Sequence, residues 1–597
     1  MAKRLIQLYL DKRRKENVRK ADFRRASNGE ARARQENESS YGTPVWLVQA
    51  MLLDIIYGHN GLDKRAGEIA ATHCAALVSL AQGAELLQPA RMDPLDEIDF
   101  SMGESDDTRN FQGSDNKFMT KAAKEEAQWL RWKVMEERKR TLYAIFVFSS
   151  LLVSSYNHTP ALTNSEILLD LPCDEELFSA PTCADFVARG GIAAANHNCM
   201  TFHEALSDLL RANEKQLRRQ DVSHADETNL SKDDDLKPST FGCFILINAI
   251  HNYIWETRQR HHSKVWTNEE TEKMHQHIQP ALQAWNRAWN YNNDRYISKN
   301  FMTYGAPAME PISADSIPLL DLAYVRLFVN LARSKEKFWQ RDWDGLAEEL
   351  YHGHEIVQHA EQPPIAGADP AFVDSSPAQM SMASPVFDSN TLLPTGHLGG
   401  RLQQSTSMTS RREKHLRKAA YYAIEALSMS NKIGYTLADF ANRELPLQSA
   451  LCVFDCAQVL AEWVATLQDR VGWYLGVLDQ NTELNQVPAI MLLEEEDGRL
   501  LAKINEVLSV TEMIMNLDIS NGTSSAMAGI STRMAFQMQM GEQIGYGAKI
   551  LSVMAYTLGK ASVWPVTQLM AECLENHAGH MRSRAEKSVL ACVQDSR

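Results

Sequence analysis

The sequence predicts an all-α protein, and three observations carry that prediction. Apolar residues recur at helical spacing in four separate stretches, sustained period-2 alternation is nearly absent, and no hairpin turn joins strand-like runs. Between Trp129 and Tyr156, Leu142, Ile145, Phe146, Leu152, Val153 and Tyr156 share one helical face, and Ser149 fills the gap in the stripe. Val147 and Phe148 are apolar as well, so this helix is expected to be buried on most sides until Pro160 ends it.

The other elements follow in chain order. Residues 1–35 hold twelve basic residues against four acidic ones, an asymmetry that sets residues 1–40 apart as a basic segment. A helical block runs from about Pro44 to Leu87, and 93–128 reads as a polar loop with seven acids between Asp93 and Asp107. A smaller acidic break falls at 220–238. Cys243, Leu246, Ile247, Ile250, Tyr253 and Ile254 make a second stripe, and Leu320, Tyr324, Leu327, Leu331 and Phe338 a third. Residues 363–394 contain six of the twenty prolines among many Ser and Gly, so 360–410 is expected to be a linker or disordered insert. Val453, Cys456, Ala457, Leu460, Val464 and Leu467 form the fourth stripe, within a C-terminal helical region, 411–597, expected to pack on a regulatory body at 41–350.

The chain is 597 residues long, with 61 Lys and Arg against 76 Asp and Glu, for a net charge of −15. Apolar residues make up 44 %, enough for a large core without disulfides, and the acidic balance argues against a body that coats nucleic acid. The nine cysteines are odd in number and widely spaced, as in a reduced intracellular protein. The N-terminal apolar run is too short for a secretory signal. Leu142–Tyr156, taken as the longest apolar candidate for a membrane span, is short and carries four serines, so no membrane partner is expected.

Catalytic and metal motifs are poorly served. His354, Glu355 and His359 resemble a zinc-protease helix, but the second His falls at i+5 and Gln358 occupies the ligand position. His197, Cys199 and His203 lack a fourth ligand nearby, and Cys452 and Cys456 sit i, i+4 in an apolar stripe, where cysteine behaves as a small hydrophobe. No phosphate loop, dinucleotide fingerprint or nucleophile elbow occurs. A metal-dependent helical cyclase needs aspartates on a cavity-lining helix. The candidates here, Asp106–Asp107 and Asp233–Asp235, lie in hydrophilic loops, and Ser298 stands one place too late after Asn293–Asp294 for the second metal motif. No enzyme activity, metal or cofactor is expected.

The most specific text is WLRWKVMEERKRTLYAIFVFSSLLVSSYNHTPALTNSEILLDLPCDEELF, beginning at Trp129. Its E-E-R-K-R-T turn, long apolar helix and L-P-C-D-E-E-L loop resemble the fungal-specific transcription factor domain, the middle homology region of fungal zinc-finger activators. PVWLVQAMLLDIIYG, FGCFILINAIHNYIWETRQR, LLDLAYVRLFVNLARSKEKFWQRDW and RREKHLRKAAYYAIEAL agree with it. The resemblance covers roughly 41–345 and 411–480 and is nearest to the branch with two-Cys two-His fingers. It implies an all-helical regulatory, dimer-forming or effector-responsive region in a nuclear regulator of RNA polymerase II genes. The partners it implies are promoter DNA, directly or through a partner, transcriptional co-regulators, and a second copy or a related chain. Family members hold zinc through an N-terminal module, and here no cysteine precedes Cys74.

The basic segment then admits three readings: a nuclear-import signal, a basic helix touching DNA backbone, or a solvated tail. Lys12, Arg13, Arg14 and Lys15 form a compact run, followed by the pairs Arg19–Lys20 and Arg24–Arg25. These eight residues are the candidate import or phosphate-contact site. Without a zipper after it, a lone basic helix supplies mainly salt-sensitive, non-specific phosphate binding. The function expected is a nuclear transcriptional regulator. The alternative is a DNA-binding-deficient partner or competitor of an intact factor.

Overall fold

The structure, a computed structural model, describes residues 15, 43–59, 64–88, 121–197, 199–221, 236–259, 268–304, 311–352, 413–428, 447–471, 494–520, 545–561 and 564–595. Helices dominate them. Among the described residues no strand forms, and the β-type pairing is one isolated antiparallel bridge between Asp170 and Thr201. The first helices are α1 (Val45–His59), α2 (Lys64–Gly83) and α3 (Lys121–Tyr156), with α1 and α2 packed on each other and on α3. Short turns of helix then lead to α4 (Phe202–Leu210) and α5 (Ala212–Asp221). Next come α6 (Thr240–Gln259), α7 (Asn268–Tyr304), α8 (Pro311–Phe328), α9 (Ala332–Gln340) and α10 (Trp343–His352). The C-terminal part holds α11 (413–428), α12 (Leu447–Val471), α13 (Glu495–Ser520), α14 (Tyr546–Lys560) and α15 (Pro565–Asp595).

Helix α3 starts at Lys121, eight residues before the sequence reading placed it. The polar loop expected at 93–128 therefore loses its last eight residues to the helix, because Lys121–Gln128 is built of strong helix formers with no Gly or Pro. The rest of that loop, 93–120, lies outside the described residues, as do 222–235 of the expected acidic break and the 360–410 segment. From Thr141 to Tyr156 every residue of α3 except Ala144 is buried. The 320–338 stripe is two helices rather than one: α8 stops at Phe328 and α9 begins at Ala332. The Asn330 side chain accepts from the Ala332 N–H at 3.1 Å and starts the new helix. Leu331 and Phe338 remain buried across the break.

One hydrophobic core runs from Val48 on α1 to Met581 on α15, so α11–α15 bury their apolar faces in the same interior as α1–α10. A smaller cluster gathers Trp129, Leu177, Ala180, Phe186 and Ala195 beside the first half of α3. Helix α12 lies at the centre of the main core, against α8, α14 and α15. Gly547 lets α14 come close, since a Cβ there would stand 3.2 Å from the Ala461 carbonyl oxygen.

Helix α12 also corrects the sequence reading of apolar length. Leu447–Gln468 spans 22 residues and is long and apolar enough to cross a membrane, more so than Leu142–Tyr156. Within the protein 94 % of that window is buried, and the helix carries four buried polar side chains, Ser449, Asp455, Gln458 and Glu462. Lys335 on α9 pairs with Asp455, while Glu462 meets His577 at 3.2 Å and Arg584 at 3.3 Å. Acids paired to neighbouring helices fit a core helix; on a lipid-facing span they would be costly.

Burial pushes the Asp455 carboxyl up more than Lys335 and Arg326 pull it down, so the Lys335–Asp455 pair is a costly contact that both members must complete. Lys335→Met alone is expected to cost about 3–5 kcal/mol, because it strands a buried carboxylate. Adding Asp455→Leu should recover most of that loss. Urea unfolding of the two variants checks this, and equal stability of the single and double variants would contradict it.

Candidate functional site

Of the eight basic residues proposed from sequence, Lys15 is placed, exposed and helical; Lys12, Arg13, Arg14, Arg19, Lys20, Arg24 and Arg25 lie outside the described residues. His354, Gln358 and His359 lie outside them too. His197, Cys199 and His203 are exposed, and Cys452 and Cys456 face each other in the core with sulfurs 3.7 Å apart. Among the described residues no group of three or more His, Cys, Asp or Glu is placed to hold a metal ion.

The E-E-R-K-R-T turn, Glu136 to Thr141, is where α3 grips its surroundings. Glu136 is buried and accepts from the Cys173 N–H at 3.0 Å, while Arg140 donates to the Cys173 carbonyl at 2.7 Å. The two side chains bond each other at 3.0 Å, so both polar groups of one loop residue are taken by one helix turn. Arg140 also lies 4.5 Å over the Phe178 ring and 3.9 Å from Glu175, whose carboxylate accepts from the Phe241 N–H at the start of α6. Arg138 reaches back to the Ala84 carbonyl after α2 at 2.7 Å. Gln49 on α1 donates to Glu137 at 3.0 Å and to Thr141 at 3.1 Å. Five residues of one motif thus tie together α1, the end of α2, the 171–178 loop and α6.

A second polar assembly, missed from sequence, joins the C-terminal turns of α6 and α8. Arg326 donates through Nη1 to Ser154 Oγ on α3 at 2.9 Å and to His251 Nδ1 on α6 at 2.9 Å. His251 Nε2 must then carry the proton, which it gives to the Leu319 carbonyl at 2.9 Å. Arg258 donates to the Arg326 carbonyl, and His275 on α7 bonds the Leu327 carbonyl at 3.1 Å. These two carbonyls belong to the last turn of α8, where cationic donors are favoured. The signal was present in the sequence: Arg326 and Asp321 interrupt LLDLAYVRLF, and Asp455 interrupts LCVFDCAQVL, single charges inside apolar helical stripes.

Burial, assisted by Arg326, pushes the Arg258 guanidinium down to about 9, and burial pushes Arg326 down to about 10 although Asp455 pulls it up. Burial likewise lowers His251 to about 3, His275 to about 4 and His59 to about 3 from the ordinary 6.5, and neighbouring cations or histidines add to it. All three are neutral near neutral pH. Below 6.5 the unfolded chain takes up protons that the folded chain refuses, so stability is whole above that pH and falls toward the folded values. Each histidine contributes a slope approaching about 1.4 kcal/mol per pH unit. Thermal unfolding between pH 7 and 4.5 should show this decline, and His251→Gln should make it shallower. At Glu136 burial pushes up, yet Lys139, Arg140 and the Cys173 N–H together hold the carboxyl below its ordinary 4.5. Its stabilisation is therefore present above pH 4.5 and lost as pH falls through the lower folded value. Arg140→Ala leaves Glu136 with Lys139 and the Cys173 N–H but takes the donor from the Cys173 carbonyl. It is expected to cost about 1.5–3 kcal/mol in urea unfolding at pH 7, and a loss under about 0.5 kcal/mol would contradict the clamp.

Residues 7–287 match the model of the fungal specific transcription factor domain, and residues 397–576 match that of the fungal transcription factor C-terminal domain. Together they span about three quarters of the chain. No curated protein and no solved structure matches it. The first match opens at residue 7, so the eight basic candidates between Lys12 and Arg25 lie inside it, and the second runs to 576, past residue 480 where the resemblance read from sequence stopped. Both the E-E-R-K-R-T clamp and Arg258 fall in the first match, and α12 and α14 fall in the second. The chain thus carries regions similar to the fungal specific transcription factor domain and to its C-terminal domain, and these two matches support a transcriptional regulator role for its helical body.

Proposed function

We propose that the chain acts in the nucleus on RNA polymerase II genes and works through shape and surface, without turning over a substrate. The observation that carries this reading is the pair of transcription factor domain matches, one on each side of a core whose helices are buried together. On this reading the helical body receives co-regulators and a second copy or a related chain. Residues 12–25, with Lys12, Arg13, Arg14 and Lys15 at their head, act as the import signal. Residues 1–73 hold no cysteine, so no zinc site comes from them, and promoter DNA is reached directly or through a partner.

Two measurements test the proposal. Tethered to an unrelated DNA-binding domain, the chain should change transcription from a reporter carrying that domain's site; an unchanged reporter would count against the regulatory reading. Fused to a fluorescent protein, the chain should concentrate in the nucleus, and replacing Lys12, Arg13, Arg14 and Lys15 with Ala should release it to the cytoplasm. Nuclear signal that survives the four substitutions would remove the import role. Weak, sequence-independent binding to duplex DNA at physiological salt would mark contact through a partner; tight, sequence-specific binding by the purified chain would mark direct contact.

A further inference from the structure

We propose that the C-terminal turns of α6 and α8 bind a small anion, a phosphate ester or a carboxylate, held between Arg258 and Arg326 as the effector of this regulator. The inference rests on the regulatory reading above and adds the site and the ligand chemistry. It begins from a charge imbalance. Two guanidiniums lie side by side, Arg258 donating to the Arg326 carbonyl, and among the described residues no carboxylate forms an ion pair with either. The acid that Arg326 feels, Asp455, is already taken by Lys335. His251 and His275 are neutral and bonded to carbonyls, so they bring no negative charge.

Capping the last turn of α8 explains only part of this arrangement. It accounts for one Arg258 nitrogen, whereas the buried Arg258 Nε–H has no acceptor. An unmet donor on a cation in a partly dry site is expensive, and such groups are normally paired. Arg326 spends Nη1 on Ser154 and His251, leaving its other donors for a ligand. A planar or tetrahedral oxyanion offers the paired acceptors that two guanidinium forks recognise. Both arginine side chains keep part of their surface in solvent, so the ligand has a way in. Occupancy would draw α6 and α8 together, and α8 is the helix on which α12 of the C-terminal region packs.

The test uses the purified full-length chain near pH 7.5, with inorganic phosphate and malonate as probes and sodium chloride at matched ionic strength as reference. Thermal unfolding and titration calorimetry should show saturable stabilisation by one probe beyond chloride, and which probe prevails separates phosphate from carboxylate ligands. Arg258→Gln should weaken that binding roughly tenfold to a hundredfold, the range for a charge-assisted bond, while Arg333→Gln on exposed α9 surface leaves it unchanged. Arg258→Lys keeps the charge and loses the fork, so it should bind at an intermediate level and serves if the Gln variant fails to fold. Stabilisation no greater than chloride gives, or equal binding by wild type and Arg258→Gln, would overturn the site. A chain that binds neither probe but still regulates when tethered to a reporter loses the anion site alone. A chain that binds the anion but never alters transcription loses the effector role.

Discussion

The rest of the structure depends on the grip that Glu136 and Arg140 take on the backbone of Cys173. A loop residue has one N–H and one carbonyl to satisfy, and here one helix turn meets both, at 3.0 and 2.7 Å. That fixes the 171–178 loop in position and orientation against α3. Glu175 in the same loop then accepts from Phe241 and sets where α6 begins. Helix α6 is buried from Gly242 to Asn252, so its starting point decides the register of the layer beneath it. Gln49 and Arg138 extend the same control to α1 and to the end of α2. A local charge pair thus sets the relative placement of four elements that are far apart in sequence.

Charges inside the core behave differently from those on the surface. Lys335–Asp455 and Glu462 with His577 and Arg584 each cross from one helix to another, and each includes a group under 6 % exposed. Such pairs add little net stability over apolar packing of the same shape. What they do is penalise wrong neighbours: α12 slid by one turn along α9 would leave Asp455 and Lys335 both unpaired. For a helix as uniformly apolar as α12, packing alone distinguishes poorly between rotations, since every face is greasy. Asp455 and Glu462, each paired to a side chain of another helix, supply the missing discrimination.

Much of the helical content was legible because the period of the apolar stripes repeats over three turns or more in α3, α6 and α12. Boundaries were less legible. The start of α3 was obscured because Lys121–Gln128 holds no apolar residue larger than alanine, and such a stretch reads as loop unless propensity is weighed against it. The break between α8 and α9 was obscured because Leu331 and Phe338 stay on the helical period across a two-helix junction and are buried either way. The E-E-R-K-R-T motif was legible as text, but its role was not: Arg140 acts on Cys173, 33 residues away, and no local spacing encodes that reach. Arg258 and Arg326 were hidden for the same reason. One lies at a helix end where basic residues are ordinary, the other inside an apolar run, and only the fold puts them together.

The placement of those two arginines bears on how the two matched regions can communicate. Arg258 ends α6 within the first match, while Arg326 is on α8, which lies between the matches and packs against α12 in the second. A force that tightens α6 on α8 therefore acts on an element whose opposite side is already committed to the C-terminal helices. Close-packed helices shift as bodies, because a dense interior transmits strain and does not absorb it. Arg326 and Asp455 of α12 feel each other's charge, so a change in the charge around Arg326 alters how strongly the Asp455 carboxylate is held. Coupling between the two regions needs no dedicated pathway under these conditions. It follows from one buried helix sharing a charge with each neighbour, and from a core that has no seam along which α1–α10 could move without α11–α15.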